Sequence, residues 1–221
     1  MKRIEISLRH INWHLFVALL IMGLCPTIYT TVRTFFLGSF PGDWSYSISG
    51  QLSWINLIYE IVNEAIILPL FYFVGKVVND RKRFTNRLKT GLLISFFIYS
   101  ILAIAIILFA EQMLTAMATS KDIIFESAKY VRIESIANIF GILLSFSSVA
   151  LVSLGKDKLI YILTVTKLVL CLIFDTFLVS TLPFSANLGV NGIAYSNIIV
   201  NGLLFVTVIV CTLVNDVRPN L

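Results

Sequence analysis

The chain alternates long apolar segments with short polar or charged ones. A helix needs about 20 mostly apolar residues, at a rise of about 1.5 Å each, to cross a bilayer. Short turn and charge signals such as FPGD, NDRKRF, SKD and GKDK separate the apolar segments. Six segments are long enough: residues 12–38, 48–74, 91–110, 127–153, 159–182 and 192–214. The pattern predicts an all-α membrane protein, with six transmembrane helices forming a single lobe over residues 1–221.

The composition agrees with the membrane class. Hydrophobic residues make up 58% of the 221 residues and charged residues only 13%, about half the share that is usual in soluble domains. Cys25, Cys171 and Cys211 all lie in apolar runs, so they indicate neither a disulfide framework nor a zinc site. No phosphate-binding glycine loop, nucleophile–histidine pair or HExxH motif is present in the sequence. We therefore expect neither an enzyme nor a cofactor.

Lysine and arginine are distributed unequally between the connections. Those on one side carry twelve of them, and the opposite side carries only Lys121 and Lys129. The positive-inside rule places the richer side in the cytoplasm, together with both termini. The net charge of +5 is therefore explained by orientation in a cell membrane rather than by nucleic-acid binding. The basic run RKRFTNRLK, residues 81–89, is interpreted as a cytoplasmic anchor loop.

Polar residues recur within four of the predicted spans at intervals that place them on one helix face. Span one has Pro26, Tyr29, Thr30 and Arg33; span two has Asn56, Glu60, Asn63 and Glu64; span four has Asn138, Gly141, Ser145 and Ser148; and span six has Ser196, Asn197 and Asn201. Such stripes serve either helix packing or the lining of a polar cavity. For the serines and glycines we favour packing.

The ionisable residues within spans are the strongest indication of function, because an isolated charge in hydrocarbon costs about 2.5–3.5 kcal/mol or more. They are Arg33, Glu60, Glu64, Lys167 and Asp175. Arg33 and Asp175 lie at matching depth, so Asp175, or alternatively Glu60, can neutralise the arginine. The structural alternative is that Arg33 extends outward to the membrane surface and that the carboxylates pair with neighbouring donors. Glu60 and Glu64 are one turn apart and repel each other, which favours a proton or sodium ion between them.

Three charged residues near the start of span four are interpreted differently. Lys129, Arg132 and Glu134 are expected to lie at the outer membrane interface, a position that explains them without a functional role.

Several segments then show a family resemblance. YTTVRTFFLG (residues 29–38) resembles the first-helix motif YNxVDTxFVG of multidrug and toxic-compound extrusion (MATE) transporters. AKYVRIES resembles their A-x-x-YLRI at the start of helix four, and VSLGKDKLIYI resembles RGLGDTKTPxYI between helices four and five. LCLIFDTFLV resembles LLNIVLDYLLI in helix five, and LGVNGIAYSNIIVN resembles LGVAGAALATVIS at helix six. The matches occur in the family's order over nearly the whole chain.

The resemblance implies one lobe of a bilobed transporter that exports organic cations or drugs by proton- or sodium-coupled antiport and alternating access. In the family, an aspartate in helix one and one in helix five are associated with cation coupling. Here Arg33 occupies the first position and Cys171 an asparagine position, whereas Asp175 is kept. The expected cavity and coupling residues are Asp175, Glu60, Glu64, Arg33, Asn56, Asn63, Tyr29, Asn197 and Asn201. Arg33 is expected to act as a tethered cation at Asp175, which moves coupling to Glu60 and Glu64 or weakens it.

Two alternatives remain open at the level of the sequence. A lipid-linked oligosaccharide flippase of the same superfamily would need several cations in its cavity, whereas carboxylates predominate here. A non-transporting membrane assembly protein is the other. The expected partners are the lipid bilayer, a small organic cation, and either a missing second lobe or a second copy of the chain.

Overall fold

The structure is a computed structural model that describes residues 13–39 and 44–214. These residues form six helices in chain order, and each predicted span falls on one of them. The helices are α1 Trp13–Gly38, α2 Trp44–Gly75, α3 Arg81–Ala116, α4 Ile124–Ser153, α5 Asp157–Leu178 and α6 Val190–Val214. The prediction of an all-helical architecture is confirmed for the part of the chain described.

Judged by length and composition, four of the helices formed by the described residues are long and apolar enough to cross a membrane. They are the stretches Lys82–Ala116, Ile124–Ser153, Lys158–Leu178 and Val190–Cys211, within α3 to α6. The spanning role of α1 and α2, and the direction of the termini, stay predictions. Lys2, Arg3 and Arg9, which contribute to the orientation argument, lie outside the described residues, as does Arg218.

The interpretation of RKRFTNRLK as a loop is wrong, because α3 already begins at Arg81. Asp80 caps this helix: its side chain accepts a hydrogen bond from the backbone N–H of Arg83 at 3.1 Å. A capping aspartate satisfies one of the free N–H groups of the first turn, so the helix can start within a charged segment. The basic run forms the first turns of α3, ahead of the apolar part predicted as span three.

Helix α4 occupies the middle of the bundle and packs most extensively against α3 and α6. Of its most apolar 18-residue window, 53% is buried, compared with 11% for the corresponding window of α5. Phe146 on α4 is fully buried and touches the position of Gly91 on α3. Helix α1 packs mainly against α5 and lies nearer the periphery of the bundle than α4 does. The polar face of α4 is therefore surrounded by other helices rather than by lipid.

The connection after α5 folds back onto the end of that helix, which ends at Leu178 rather than at the predicted residue 182. The Ser185 hydroxyl and the Ala186 N–H donate to the Phe177 carbonyl, and the Leu188 N–H donates to the Leu178 carbonyl. These bonds satisfy carbonyls that a helix end leaves free. They also fix the last turn of α5, which carries Asp175.

Candidate functional site

A polar cavity of about 480 Å³ lies within the helical bundle. Side chains from all six helices line it, and most of them are polar or aromatic. The lining residues are Tyr29, Thr30, Arg33, Asn56, Tyr59, Glu60, Asn63, Tyr99, Glu134, Asn138, Gly141, Ile142, Ser145, Lys167, Cys171, Asn197 and Asn201. A cavity of this kind, surrounded by apolar helices, is the default candidate for a binding site.

The structure brings most of the sequence-predicted site residues to this cavity. Seven of the nine line it, namely Tyr29, Arg33, Asn56, Glu60, Asn63, Asn197 and Asn201. Asp175 is fully buried behind the wall and reaches the cavity only through Arg33. Glu64 is exposed and is not among the lining residues, although it lies one turn from Glu60. Their functional roles stay predictions.

Arg33 is neutralised by Asp175, as the matching depths predicted. The Arg33 Nε lies 2.5 Å from one Asp175 carboxylate oxygen, and the Arg33 Nη2 donates to the other at 3.3 Å. Arg33 is 12% exposed and Asp175 is not exposed at all. The fork of the guanidinium thus engages both carboxylate oxygens, the geometry in which arginine binds carboxylates most strongly. Asp175, rather than Glu60, is the partner that compensates the charge in α1.

The ion pair continues into a chain of hydrogen bonds that joins four helices. The Arg33 Nη2 also donates to the Asn197 Oδ1 at 2.7 Å. The Asn197 Nδ2 in turn donates to both carboxylate oxygens of Glu134, at 2.9 and 3.0 Å. The order Asp175, Arg33, Asn197, Glu134 links α5, α1, α6 and α4. Asn197 uses its acceptor and its donor at the same time, which fixes the orientation of its amide.

Glu134 faces the inside of the bundle, which the interfacial explanation of this residue did not predict. Glu134 is only 8% exposed and faces the cavity, whereas Arg132 bonds to Glu111 on α3 at 2.9 Å in a partly exposed ion pair. A signal for this was present in the sequence. The polar stripe of α4 at Asn138, Gly141 and Ser145 extends backwards by one turn to position 134, on the same helix face. Glu134 is a residue of the candidate site that the sequence analysis missed, as are Tyr59 and Tyr99.

The neutral part of the cavity wall offers additional hydrogen-bonding groups. Asn63 Oδ1, Asn138 Nδ2 and Asn201 Oδ1 are buried, and none has a hydrogen-bond partner among the described residues. Buried polar groups in proteins are normally paired, and binding sites are a common exception. The wall therefore presents both donor and acceptor atoms from three helices.

Tyrosine rings form the aromatic part of the wall. Tyr59 and Tyr99 are stacked with their ring centroids 5.8 Å apart, and the Tyr99 hydroxyl donates to the Tyr59 carbonyl at 3.1 Å. The Arg33 guanidinium lies over the Tyr29 ring, 5.2 Å from its centroid. Faces of aromatic rings attract cations. The cavity already uses this interaction for the internal cation Arg33.

Comparison with known proteins assigns this arrangement to a family. The family model MatE matches residues 18–178, which is more than half of the chain and includes the cavity-lining parts of α1 to α5. The chain belongs to the MatE family. The prediction of the family is therefore confirmed. Members of this family are membrane transporters rather than enzymes.

Solved structures of MATE proteins share the fold of this MatE chain. A MATE crystallised in complex with MaD3S matches with a TM-score of 0.79 and 13% identity, over 91% of this chain and 45% of that one. A MATE P26A mutant gives 0.79 and 14% identity, over 90% and 44%. A MATE in the bent conformation gives 0.75 and 14%, over 91% and 45%. No curated protein sequence matches. The MatE chain thus spans less than half the length of the transporters whose fold it shares.

Proposed function

We propose that the MatE chain forms one lobe of a secondary active transporter that exports small organic cations by alternating access, driven by a proton or sodium gradient. The lobe would lie in the cell membrane with both termini in the cytoplasm. A second lobe, or a second copy of the chain, would complete the translocation pathway. The observation that carries this proposal is a polar cavity with carboxylate and tyrosine walls inside an apolar helical bundle of the MatE fold.

The charge balance of the site supports a cationic substrate. The cavity and the ion pair behind it contain two basic residues, Arg33 and Lys167, and three acidic ones, Glu60, Glu134 and Asp175. When all five are ionised, two positive and three negative charges leave one negative charge in excess. Arg33 and Asp175 cancel each other, so an entering molecule meets Lys167 and two glutamates. An organic cation fits this balance better than an anion does.

The size and surface of the cavity support a small organic molecule. Its volume of about 480 Å³ falls in the range of about 300–1,000 Å³ that is usual for small-molecule sites. The rings of Tyr29, Tyr59 and Tyr99 can attract a cationic or aromatic group, and the asparagine side chains can bind its polar atoms. Glu60 is the glutamate with the more exposed side chain, and would meet the substrate first.

Transport by the full protein in proteoliposomes tests the proposal, with ethidium as the probe and an imposed proton or sodium gradient. We expect ethidium movement that stops when an ionophore collapses the gradient. In E60Q the rate at low ethidium should fall roughly tenfold or more, because an interaction with a charged group contributes about 1.5–3 kcal/mol.

Glu64→Gln is the matched comparison, because it removes a carboxylate from the same helix one turn away, outside the cavity lining. Its effect should be clearly smaller than that of E60Q. Equal losses in the two variants would contradict a role for the cavity position. Ethidium movement that is absent from the unaltered protein under either gradient would contradict the export function.

A further inference from the structure

The two buried carboxylates of the hydrogen-bond chain are compensated unequally. Asp175 has a guanidinium on both of its oxygens. Glu134 accepts only from the neutral amide of Asn197, and among the described residues no lysine or arginine nitrogen lies within 4.0 Å of it. The side-chain amide of Asn197 lies between the Arg33 guanidinium and the Glu134 carboxylate. One acid therefore has a fixed cation and the other has none.

A buried carboxylate with only a neutral partner is costly in its ionised form, and several kcal/mol is typical for a charge without compensation in a low-dielectric region. A proton removes this cost without rearranging any helix. Glu134 also lines the cavity, so a proton can reach its carboxylate through that space. Asp175 differs from Glu134 in both respects. It is fully buried, and both of its carboxylate oxygens are bonded to the Arg33 guanidinium.

We propose that Glu134 is the carboxylate of this lobe that takes up and releases a proton, while Asp175 stays paired with Arg33. Within the proposed transport cycle, on which this inference rests, proton exchange would occur on α4 at the cavity wall. Loss of the Glu134 proton would restore a charged acceptor for the Asn197 amide. Proton exchange would thereby change the bond between α4 and α6 and, through Asn197, the environment of Arg33.

The groups that face Glu134 come from several helices and bear on its proton exchange. Arg33 from α1 and Lys167 from α5 are the basic groups that act on it electrostatically. It acts in turn on the hydroxyls of three tyrosines, and Glu60 and Asp175 are the other acidic groups in or behind the same cavity. The tyrosines are Tyr29 from α1, Tyr59 from α2 and Tyr130 from α4. Arg33 and Lys167 are thus near Glu134 without contacting it, so they can balance the negative charge of its carboxylate after the proton has left.

Infrared difference spectroscopy of the full protein in lipid, recorded between acidic and alkaline pH, measures this exchange without any substrate. A carboxylic acid has a C=O stretching band that disappears on ionisation. We expect the spectrum to contain such a band from a buried acid, and we expect this band to be lost in E134Q. A band that remains unchanged in E134Q would overturn the proposal, as would a spectrum of the unaltered protein without one.

Glu126→Gln is the matched control. Glu126 is also on α4 and also accepts from an asparagine of α6, since the Asn191 Nδ2 donates to it at 3.2 Å. It is not among the cavity-lining residues. We expect E126Q to keep the buried-acid band at full intensity. Loss of that band in E126Q as well as in E134Q would indicate a general disturbance of the α4–α6 interface and would overturn the assignment to Glu134.

A measurement on the unaltered protein covers the case in which E134Q does not fold. Dicyclohexylcarbodiimide reacts with protonated carboxyl groups in apolar surroundings, and mass spectrometry of the peptides locates the adduct. We expect modification of Glu134 that decreases as the pH rises. Modification of Asp175 or Glu60 in place of Glu134 would overturn the proposal. Confirmed proton exchange at Glu134 without ethidium transport would refute the organic-cation function alone.

Discussion

Arg33 is the residue whose environment most constrains this lobe. It lies in α1, whose sequence from Trp13 to Gly38 contains no other lysine, arginine, aspartate or glutamate. Its compensation comes from α5, 142 positions later in the chain, with a further bond to Asn197 on α6. A buried pair of this kind contributes little net stability, but the loss of one partner strands the other charge. Arg33 therefore constrains the positions of three helices relative to each other.

Neutralising only one member of the Arg33–Asp175 pair should destabilise the lobe strongly. R33Q or D175N should each cost about 3–5 kcal/mol, because each leaves a buried charge without its partner. The double variant R33Q/D175N should recover most of that loss, because it leaves neither charge. The apparent melting temperatures of the four proteins in detergent give the coupling between the two sites.

The ion pair between Arg132 and Glu111 is the control for this cycle. Its side chains are 39% and 52% exposed, so R132Q and E111Q should each change stability by about 1 kcal/mol or less. Single variants at Arg33 and Asp175 that are as mild as these two would show that the buried pair does not constrain the helices.

Sequence reasoning reached the Arg33–Asp175 pair but not Glu134, for a geometric reason. Depth along a helix follows from counting residues, and it correctly placed Arg33 and Asp175 at one level. Direction around a helix depends on its neighbours: Arg132 and Glu134 are two positions apart, or about 200° of helical rotation. One therefore reaches Glu111 at the side of α3 and the other faces the cavity. Treating the three charges near the start of α4 as one interfacial group concealed this difference.

At the scale of the helices, hydropathy predicted each helix but misplaced the ends that local hydrogen bonds determine. Helix α3 starts ten residues before its predicted span, where Asp80 caps a basic segment that hydropathy excludes. Helix α5 stops at Leu178 because the following connection returns to bond its last carbonyls. The cap was visible in the sequence NDRKR. The returning connection was not, because it depends on contacts between segments that propensity does not describe.

The contact of α6 with the end of α5 requires a glycine. A Cβ atom at Gly192 would lie 2.6 Å from the Leu178 carbonyl oxygen and 2.9 Å from its carbon, closer than real Cβ atoms approach backbone. G192A should therefore push α6 away from the end of α5, one turn after Asp175. We expect it to lower stability by roughly 1–3 kcal/mol, as overpacking does, and to lower the melting temperature in detergent.

Gly202→Ala is the control on the same helix. The nearest atom to a Cβ at Gly202 is a Phe140 ring carbon at 3.9 Å, an ordinary contact. Alanine is up to about 1 kcal/mol more favourable than glycine within a helix, so G202A should leave stability unchanged or raise it slightly. If G192A melted at the same temperature as G202A, the close approach of α5 and α6 would not depend on the absence of a side chain.

At the scale of the whole molecule, the cavity is open to the outside of the bundle along part of its wall. Asn56 and Glu60 on α2 line the cavity and are exposed, as is Ser145 on α4, whereas Glu134 is buried. The MATE structures that share the fold are more than twice as long as the matched part. An organic cation gives up contacts with water when it enters this site. Its electrostatic attraction to the cavity wall is weak where bulk water also reaches that wall, so strong binding needs a site that is enclosed on all sides. A second lobe facing α2 would supply the missing wall.

We therefore expect the transporting particle to contain two six-helix lobes. Native mass spectrometry of the protein released from detergent should give a mass of at least about twice 24.8 kDa, the mass of this chain. The denatured mass then separates the two ways of reaching it. A single polypeptide of that size has one copy of the Arg33–Asp175 pair beside a second lobe with its own residues. Two copies of 24.8 kDa each would place two such pairs and two Glu134 carboxylates around one shared cavity.

A particle of 24.8 kDa that moves ethidium in proteoliposomes would contradict the requirement for a second lobe. The α2 side of the cavity would then face lipid or water directly.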